Sequence, residues 1–186
     1  MALILKIPFS QSKPCDMNKV KIGGGICYGL CLWLIETAAT LNPSDFLQYF
    51  RSFALKPGKL METGLTYQKR ANDGLNDSIS GLVFNIDIAQ GGETDFRESL
   101  TSAYMLLEAA VTDKAYILTF YGKNWYGKNW GHATVLLKKA GQCYWFDPNY
   151  GLYDMDPIDA TLDLAALLKS NYPTVLTTKL HHLSLS

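Results

Sequence analysis

A glycine triplet followed by a cysteine and an apolar run places the strongest constraint on how this chain can fold. Residues 23–34 read G-G-G-I-C-Y-G-L-C-L-W-L, and no charged side chain follows before Glu36. Glycine lets the backbone adopt positive φ and approach other groups closely, whereas the apolar run is typical of a buried helix. The pattern therefore predicts that a loop becomes a buried helix at about Cys27 and that this helix ends near residue 41.

The position of Cys27 at that junction leaves two interpretations open. The free N–H groups and the positive dipole end of a helix start stabilise an anion, so a thiol there ionises more readily, and a thiolate is the nucleophile of cysteine hydrolases. Most free cysteines are instead small buried apolar residues, and this stretch alone favours that interpretation. A second stretch, residues 131–151, reverses the balance.

The composition excludes several classes of protein. The chain has 186 residues, of which 48% are hydrophobic and 18% charged, and this predicts a single globular domain over residues 1–186. Seventeen basic and seventeen acidic residues balance without a dense basic run, so no nucleic-acid partner is expected. The longest uncharged apolar segment, residues 26–35, is too short to insert across a membrane. Residues 1–9 lack the pattern of a secretory signal peptide.

The predicted elements are helical in the first part of the chain and sheet-like in the second. Asn42-Pro43 ends the first helix and begins the next, because Asn caps a helix and Pro suits its first turn. This order predicts an α+β fold in which a helical half packs on a mostly antiparallel sheet, with a cleft between them. The remaining predictions are a turn at residues 56–59, helices at about 60–70, 94–111 and 158–170, and strands at 2–7, 82–88, 115–121, 132–138, 142–146 and 174–185.

A short tandem repeat precedes the second informative stretch. Residues 121–130 read Y-G-K-N-W twice, which is too short for a repeat architecture. The segment is either an aromatic rim beside a binding cleft or a hairpin loop with a local duplication. The second interpretation is slightly favoured.

His132 and Asp147 supply what Cys27 needs to become a nucleophile. A cysteine nucleophile requires a base to take its proton and a third group to orient that base. His132 is the only histidine before the C-terminal end of the chain, so the choice of base is nearly forced. Each residue has a simpler structural explanation by itself, but three matching parts in one chain favour a Cys-His-Asp triad.

The register of the expected hairpin decides how His132 and Asp147 face each other. A turn centred between residues 139 and 140 places them directly opposite, with Cβ atoms roughly 4.5–5.5 Å apart. A turn centred on residues 140–141 is equally natural and places Asp147 diagonally, unless a bulge restores the match. The sequence leaves both registers open.

Three segments together resemble the YopT/AvrPphB-type cysteine proteases, which are papain-like enzymes known mainly as bacterial effectors. The segments are residues 25–31 (G-I-C-Y-G-L-C), 131–135 (G-H-A-T-V) and 145–151 (W-F-D-P-N-Y-G), the last being the most specific. The resemblance implies a papain-like domain with Cys27 as nucleophile, His132 as general base and later acid, and Asp147 as the orienting residue. It also implies hydrolysis of peptide bonds through a thioester acyl-enzyme, without a metal or other cofactor.

The same resemblance implies a partner and a location. Such a protein is a virulence effector or toxin domain whose partner is a host protein substrate. It is made in the bacterial cytoplasm and is then secreted into, or acts within, a eukaryotic host cell. No coiled coil or symmetric interface is evident, which favours a monomer. The host target and the cleavage motif are not specified.

The oxyanion hole is only half assigned by the sequence. Papain-like enzymes use a side-chain amide a few residues before the cysteine, but the positions just before Cys27 carry none. The nearest amides are Asn18 and Gln11, and either would need the glycine loop to fold back. The backbone N–H of Cys27 is therefore the one donor assigned.

Three other functions stay open. The same triad could deamidate or transglutaminate glutamine, and the scaffold could instead be a non-catalytic module that binds a host protein. Cys31, one helical turn after Cys27, is expected to be a buried neighbour. A metal site formed by both cysteines, His132 and one of the two C-terminal histidines is the remaining alternative, but its spacing resembles no known zinc pattern.

Overall fold

The described part of the chain contains seven strands and four long helices, and residues 104–105 and 107–108 are helical as well. The computed structural model describes residues 3–9, 26–72, 85–88, 104–105, 107–123, 126–155, 160–172 and 175–184. Among these residues, no helix is long and apolar enough to cross a membrane. In chain order the elements are β1 (Leu3–Pro8), α1 (Cys27–Thr40), α2 (Pro43–Ala54), α3 (Pro57–Asn72), β2 (Asn85–Ile88), β3 (Lys114–Lys123), β4 (Asn129–Lys139), β5 (Gln142–Asp147), β6 (Gly151–Met155), α4 (Ala160–Asn171) and β7 (Val175–Ser184).

The strands form one sheet of seven in the order β1-β6-β5-β4-β3-β7-β2, and all its described pairings are antiparallel. The central strand β4 carries His132 between β3 and β5. Six of the seven strands and the last helix agree with the elements predicted from the sequence, whereas β6, a five-residue strand directly after the turn that follows β5, is not among them. Most of the helix predicted at residues 94–111 lies outside the described residues. The tandem repeat connects β3 to β4, so the hairpin interpretation is confirmed.

Helices α2 and α3 begin where their first residues favour it. The Asn42 side chain accepts a hydrogen bond from the Asp45 N–H at 2.9 Å, and Pro43 occupies the first turn of α2, as predicted. The turn predicted at residues 56–59 is wrong, because Pro57 is the first residue of α3. Proline has a helical φ and lacks an N–H that this position would leave unpaired, so it begins a helix as readily as it ends one.

Both faces of the sheet are buried, and alternate residues of each central strand belong to different clusters. On β4, Ala133, Val135 and Leu137 pack in the cluster that includes α1, α2 and α3. Leu136 packs in the second cluster, which includes residues of β3 and α4. His132 lies an even number of positions before Thr134 and Leu136, so its side chain is on the same, second face of the sheet.

The β4–β5 hairpin has the second of the two registers that the sequence leaves open. Lys139 pairs with Gln142, so the turn is formed by Ala140 and Gly141, with φ of 48° and 82°. Positive φ at both central residues defines a type I′ turn, whose twist matches that of the strands. Direct opposition of the predicted histidine and aspartate is therefore excluded, and they lie diagonally on the same face.

The start of α1 lies against the backbone of α3. A Cβ atom at Gly29 would lie 2.2 Å from the Gly64 carbonyl oxygen and 2.6 Å from the Gln68 nitrogen. The Gly29 N–H donates to Gln68 Oε1 at 3.1 Å, whereas Ile26, the N-cap, supplies no side-chain hydrogen bond. The packing of α3 on α1 therefore provides the hydrogen-bond acceptor that a capping side chain would normally provide. This close packing requires glycine at position 29.

We expect Gly29→Ala to lower the free energy of unfolding by about 1–3 kcal/mol, because the added methyl group overlaps backbone atoms of α3. Gly58→Ala is the matched control, since a Cβ atom there meets nothing within 4 Å. Urea unfolding of both variants measures the difference. Equal stabilities for the two variants would contradict the close packing of α1 on α3.

We expect Ala140→Gly to stabilise the protein by roughly 1 kcal/mol, because a left-handed conformation is unfavourable for alanine and not for glycine. The backbone N–H that donates to Asp113 Oδ1 at 2.8 Å is kept in this variant. Gly141→Ala, the reciprocal change in the same turn, should destabilise by a similar amount. Thermal unfolding of the two variants tests the turn type, and a loss of stability in Ala140→Gly would contradict it.

Candidate active site

Three elements bring together the residues that the sequence singles out. Cys27 is the first residue of α1, His132 lies near the start of β4, and Asp147 is the last residue of β5. Helix α1 packs on β4, which places the helix start near the end of the strand. Cys27 and Asp147 are 120 positions apart in the sequence, and the three side chains meet because the sheet folds the chain back on the helix.

His132 and Asp147 form a buried pair. Nε2 of the imidazole lies 2.8 Å from Oδ1 of the carboxylate, and the two side chains are 5% and 0% exposed. The diagonal register does not prevent this contact, because an imidazole ring is long enough to span a diagonal pair of positions. With Nε2 engaged by the carboxylate, the other ring nitrogen, Nδ1, is the one left for Cys27.

The surroundings of His132 favour its protonated form. Burial by itself lowers the pKa of the ring, because it penalises the charged state. Hydrogen bonds with the Asp147 carboxylate and the Cys27 sulfur, together with the negative charges of both groups, outweigh burial and raise the pKa of His132 to about 9. At neutral pH an imidazolium therefore lies between a carboxylate and a sulfur, which is how a base activates a cysteine nucleophile.

Cys31 is a thiol of a different kind. It is fully buried in the apolar cluster beneath α1. Burial, and then the negative charges at Cys27 and Asp147, raise the pKa of its thiol well above the usual value. Cys31 is therefore an inert core residue. Among the described residues, no three His, Cys, Asp or Glu side chains are placed to hold a metal ion, and the side chains of the C-terminal histidines lie outside them.

The D-P-N-Y-G segment holds the carboxylate of Asp147 in place. The Asn149 N–H donates to Asp147 Oδ1 at 2.8 Å, and the Tyr150 N–H donates to the Asp147 carbonyl oxygen at 3.0 Å. An aspartate that accepts a hydrogen bond from the N–H two residues on forms an Asx turn. The motif is therefore both a turn and the frame that orients the carboxylate toward His132.

Tyr172 is a site residue that sequence reasoning missed. Its ring stacks on the His132 imidazole with centroids 4.8 Å apart and an interplanar angle of 26°. Its hydroxyl donates to Asp147 Oδ2 at 3.0 Å. The residue follows α4 directly, and nothing in the sequence distinguishes it from the other members of a set of eleven tyrosines. Only the packing of α4 on the sheet reveals its position.

Aromatic side chains border the pair. The Trp130 ring, at the end of the tandem repeat, lies 5.9 Å from that of Tyr172, and the Tyr150 ring lies 6.3 Å from it. Tyr121, at the start of the repeat, is 45% exposed. The repeat therefore contributes the Trp130 ring to the border of the site as well as forming a hairpin.

The start of α1 carries the one oxyanion donor that the sequence assigns, the backbone N–H of Cys27. The N–H groups in the first turn of a helix have no partner within the helix, and that of Cys27 belongs to this set. Asn18 and Gln11, the nearest amides in the sequence, lie outside the described residues. The second donor therefore stays unassigned.

Two solved structures resemble this chain. The crystal structure of the Pseudomonas avirulence protein AvrPphB matches with a TM-score of 0.54 and 16% identity, over 94% of this chain and 100% of that chain. PatoxP, a cysteine protease-like domain of the Photorhabdus asymbiotica toxin PaTox, matches with a TM-score of 0.56 and 13% identity, over 96% of this chain. The chain has a papain-like fold.

These two matches confirm the papain-like α+β fold predicted from the sequence. They also confirm, at the level of the fold, the predicted resemblance to AvrPphB. This chain spans 53% of the length of the PatoxP chain. No family model matches the chain, and no curated protein matches its sequence. The papain-like fold is thus evident from structure at sequence identities too low to carry residue roles across.

The raised pKa of His132 makes stability depend on pH. A group whose pKa is higher in the folded protein stabilises it fully below the unfolded value of 6.5, and this contribution is lost as pH rises through about 9. We expect the difference in unfolding free energy between the wild type and His132→Gln to fall between pH 6.5 and 9.5, by on the order of 3 kcal/mol. Urea unfolding across this range measures it. A difference that stays constant or grows would contradict the arrangement.

Proposed function

We propose that this chain is a cysteine protease with Cys27 as nucleophile, His132 as general acid and base, and Asp147 as the residue that orients His132. The observation that carries the proposal is the imidazole of His132, which is engaged by a carboxylate on one side and by the Cys27 sulfur on the other. A buried sulfur at the start of a helix, paired with an imidazolium, is poised to attack a carbonyl carbon. The papain-like fold supports the same class of reaction.

In the acylation step, the Cys27 thiolate forms a bond to the carbonyl carbon of the scissile peptide. The carbonyl oxygen takes the negative charge, and the N–H of Cys27 donates a hydrogen bond to it. As the C–N bond breaks, the His132 imidazolium gives its proton to the leaving amine. The product is a thioester of Cys27, an amine and a neutral imidazole.

In the deacylation step, His132 takes a proton from a water molecule as the oxygen attacks the thioester carbon. The C–S bond then breaks, which returns the thiolate and restores the imidazolium, and the carboxylic acid product leaves. Asp147 keeps the ring in the same orientation through both steps, because its Oδ1 holds Nε2 while Nδ1 exchanges the proton.

We further propose that residues 1–186 form one domain that acts as a monomer on a host protein inside a eukaryotic cell, after export from a bacterium. The avirulence protein AvrPphB and the toxin domain PatoxP support this proposal through the similarity of their folds. The aromatic residues around the site favour a substrate segment with apolar side chains, since flat rings bury such groups well.

We expect iodoacetamide at pH 7 to label Cys27 faster than Cys31 and Cys143, because all three thiols are buried but Cys27 is the one that contacts the His132 imidazolium. His132→Ala should slow the labelling of Cys27 by roughly tenfold or more, because the imidazolium that stabilises the thiolate is lost. Peptide mass spectrometry gives the rate at each cysteine in one protein, so the other thiols serve as internal controls. Slow labelling of Cys27 that does not depend on His132 would overturn the proposal.

The reaction itself is tested on a eukaryotic cell lysate treated with the wild type, Cys27→Ser or Cys143→Ser. We expect new protein N-termini with the wild type and with Cys143→Ser, and none with Cys27→Ser. The activity should fall as pH rises through about 9, where the imidazolium is lost. If glutamine side chains are converted to glutamate and no new N-termini appear, the reaction is deamidation and not proteolysis. If no protein is covalently changed, the remaining interpretation is a non-catalytic binding module.

A further inference from the structure

We propose that Tyr172 positions the His132–Asp147 pair, with its ring packed on the imidazole and its hydroxyl fixed on the second oxygen of the carboxylate. The inference rests on the proposed function, because positioning matters only if His132 acts on Cys27. Tyr172 is not expected to touch the substrate bond, so it is a positioning residue and not a catalytic one.

The Asp147 carboxylate needs several donors because it is completely buried. Its side chain is 0% exposed, so hydrogen bonds must replace the water that it loses on folding. Oδ1 is shared by the His132 ring nitrogen and the Asn149 N–H, both at 2.8 Å. Oδ2 accepts from the Tyr172 hydroxyl at 3.0 Å. This hydroxyl is therefore the described donor that prevents Oδ2 from turning away and moving Oδ1 with it.

Asn149 connects Tyr172 back to the same turn. Its side-chain Nδ2 donates to the Tyr172 hydroxyl oxygen at 2.9 Å, while its backbone N–H donates to Asp147 Oδ1. Asp147, Asn149 and Tyr172 thus form a closed ring of hydrogen bonds. The hydroxyl accepts one bond and donates one, so its proton is directed at the carboxylate.

The Tyr172 ring is held as firmly as its hydroxyl. Its backbone N–H donates to the Leu168 carbonyl oxygen at 2.7 Å, and Leu168 is buried in the second core cluster. Phe120 lies 5.9 Å from the Tyr172 ring and 6.4 Å from the His132 ring, measured between centroids and at shallow interplanar angles. The imidazole therefore lies against a fixed aromatic surface, which restricts its rotation away from the Asp147 carboxylate.

The Tyr172 hydroxyl stays a donor over the whole working range of pH. Burial, and then the negative charge of Asp147, raise its pKa far above the usual value for tyrosine. It does not ionise under conditions in which His132 titrates. A change in the behaviour of His132 in a Tyr172 variant would therefore reflect position and not the titration of the tyrosine.

The decisive measurement is the pKa of His132, followed through the NMR signal of its imidazole carbon in the wild type, Tyr172→Phe and Tyr172→Leu. Loss of the hydroxyl lets Oδ2 turn toward Asn149, which loosens the hydrogen bond that raises the pKa of His132. We expect Tyr172→Phe to lower this pKa by about one pH unit from the wild-type value, and Tyr172→Leu to lower it at least as much. Labelling of Cys27 by iodoacetamide at pH 7 should slow roughly threefold to tenfold in both.

Tyr116→Phe is the matched control, because it removes a hydroxyl from a buried tyrosine in the same cluster as Phe120. Thermal unfolding of each variant shows how much stability the hydroxyl contributes. A purely structural role for Tyr172 would lower stability and leave the pKa of His132 equal to that in Tyr116→Phe. That result, or a rise in the pKa of His132 in Tyr172→Phe, would overturn the proposal.

This experiment separates the inference from the proposed function. If His132→Ala slows the labelling of Cys27 while Tyr172→Phe changes neither the labelling nor the pKa of His132, the protease proposal stands and positioning by Tyr172 is wrong. If the labelling does not depend on His132, the protease proposal falls. In that case a fall in the pKa of His132 in Tyr172→Phe would still show that Tyr172 holds the pair.

Discussion

The buried carboxylate of Asp147 is the constraint on which the site depends. A charged group without exposure is tolerated only where donors replace its hydration, and here they come from three parts of the chain: β4, the turn after β5, and the residue after α4. Each donor fixes the segment that carries it. One acidic side chain therefore ties the centre of the sheet, its neighbouring turn and the last helix to a common point.

The proposed nucleophile, Cys27, is held by a different kind of interaction. The start of α1 is placed by close contact with α3, where Gly29 lets the two backbones meet and the Gln68 side chain accepts its N–H. This contact needs no charged group, and the two backbones can approach so closely because glycine has no side chain. The site thus combines a helix start set by packing with an imidazole set by hydrogen bonds, and the fold brings the two together where α1 meets β4.

Much of the fold could be predicted from local signals. The Asn42-Pro43 pair marks a helix boundary through capping, and the apolar run after Cys27 indicates a buried helix, because both effects act within a few residues. The turn predicted at Pro57 is wrong, since proline can end one helix or begin another. The hairpin register was left open because two turns of equal length fit the same alternation, and the positive φ of Ala140 is set by the pairing of the strands and not by the preference of alanine.

The sequence by itself determined which residues are candidates for a triad: a cysteine after glycines, a single histidine in the body of the chain, and an aspartate in a distinctive turn. Only the tertiary structure decided how they meet, with the imidazole reaching its carboxylate diagonally and Tyr172 packed on the ring. The physical reason is the distance along the chain over which each interaction acts. Capping, turn chemistry and hydrophobic periodicity act over a few residues and can be read along the chain. The contact of Tyr172 depends on how α4 packs on a sheet assembled from distant segments.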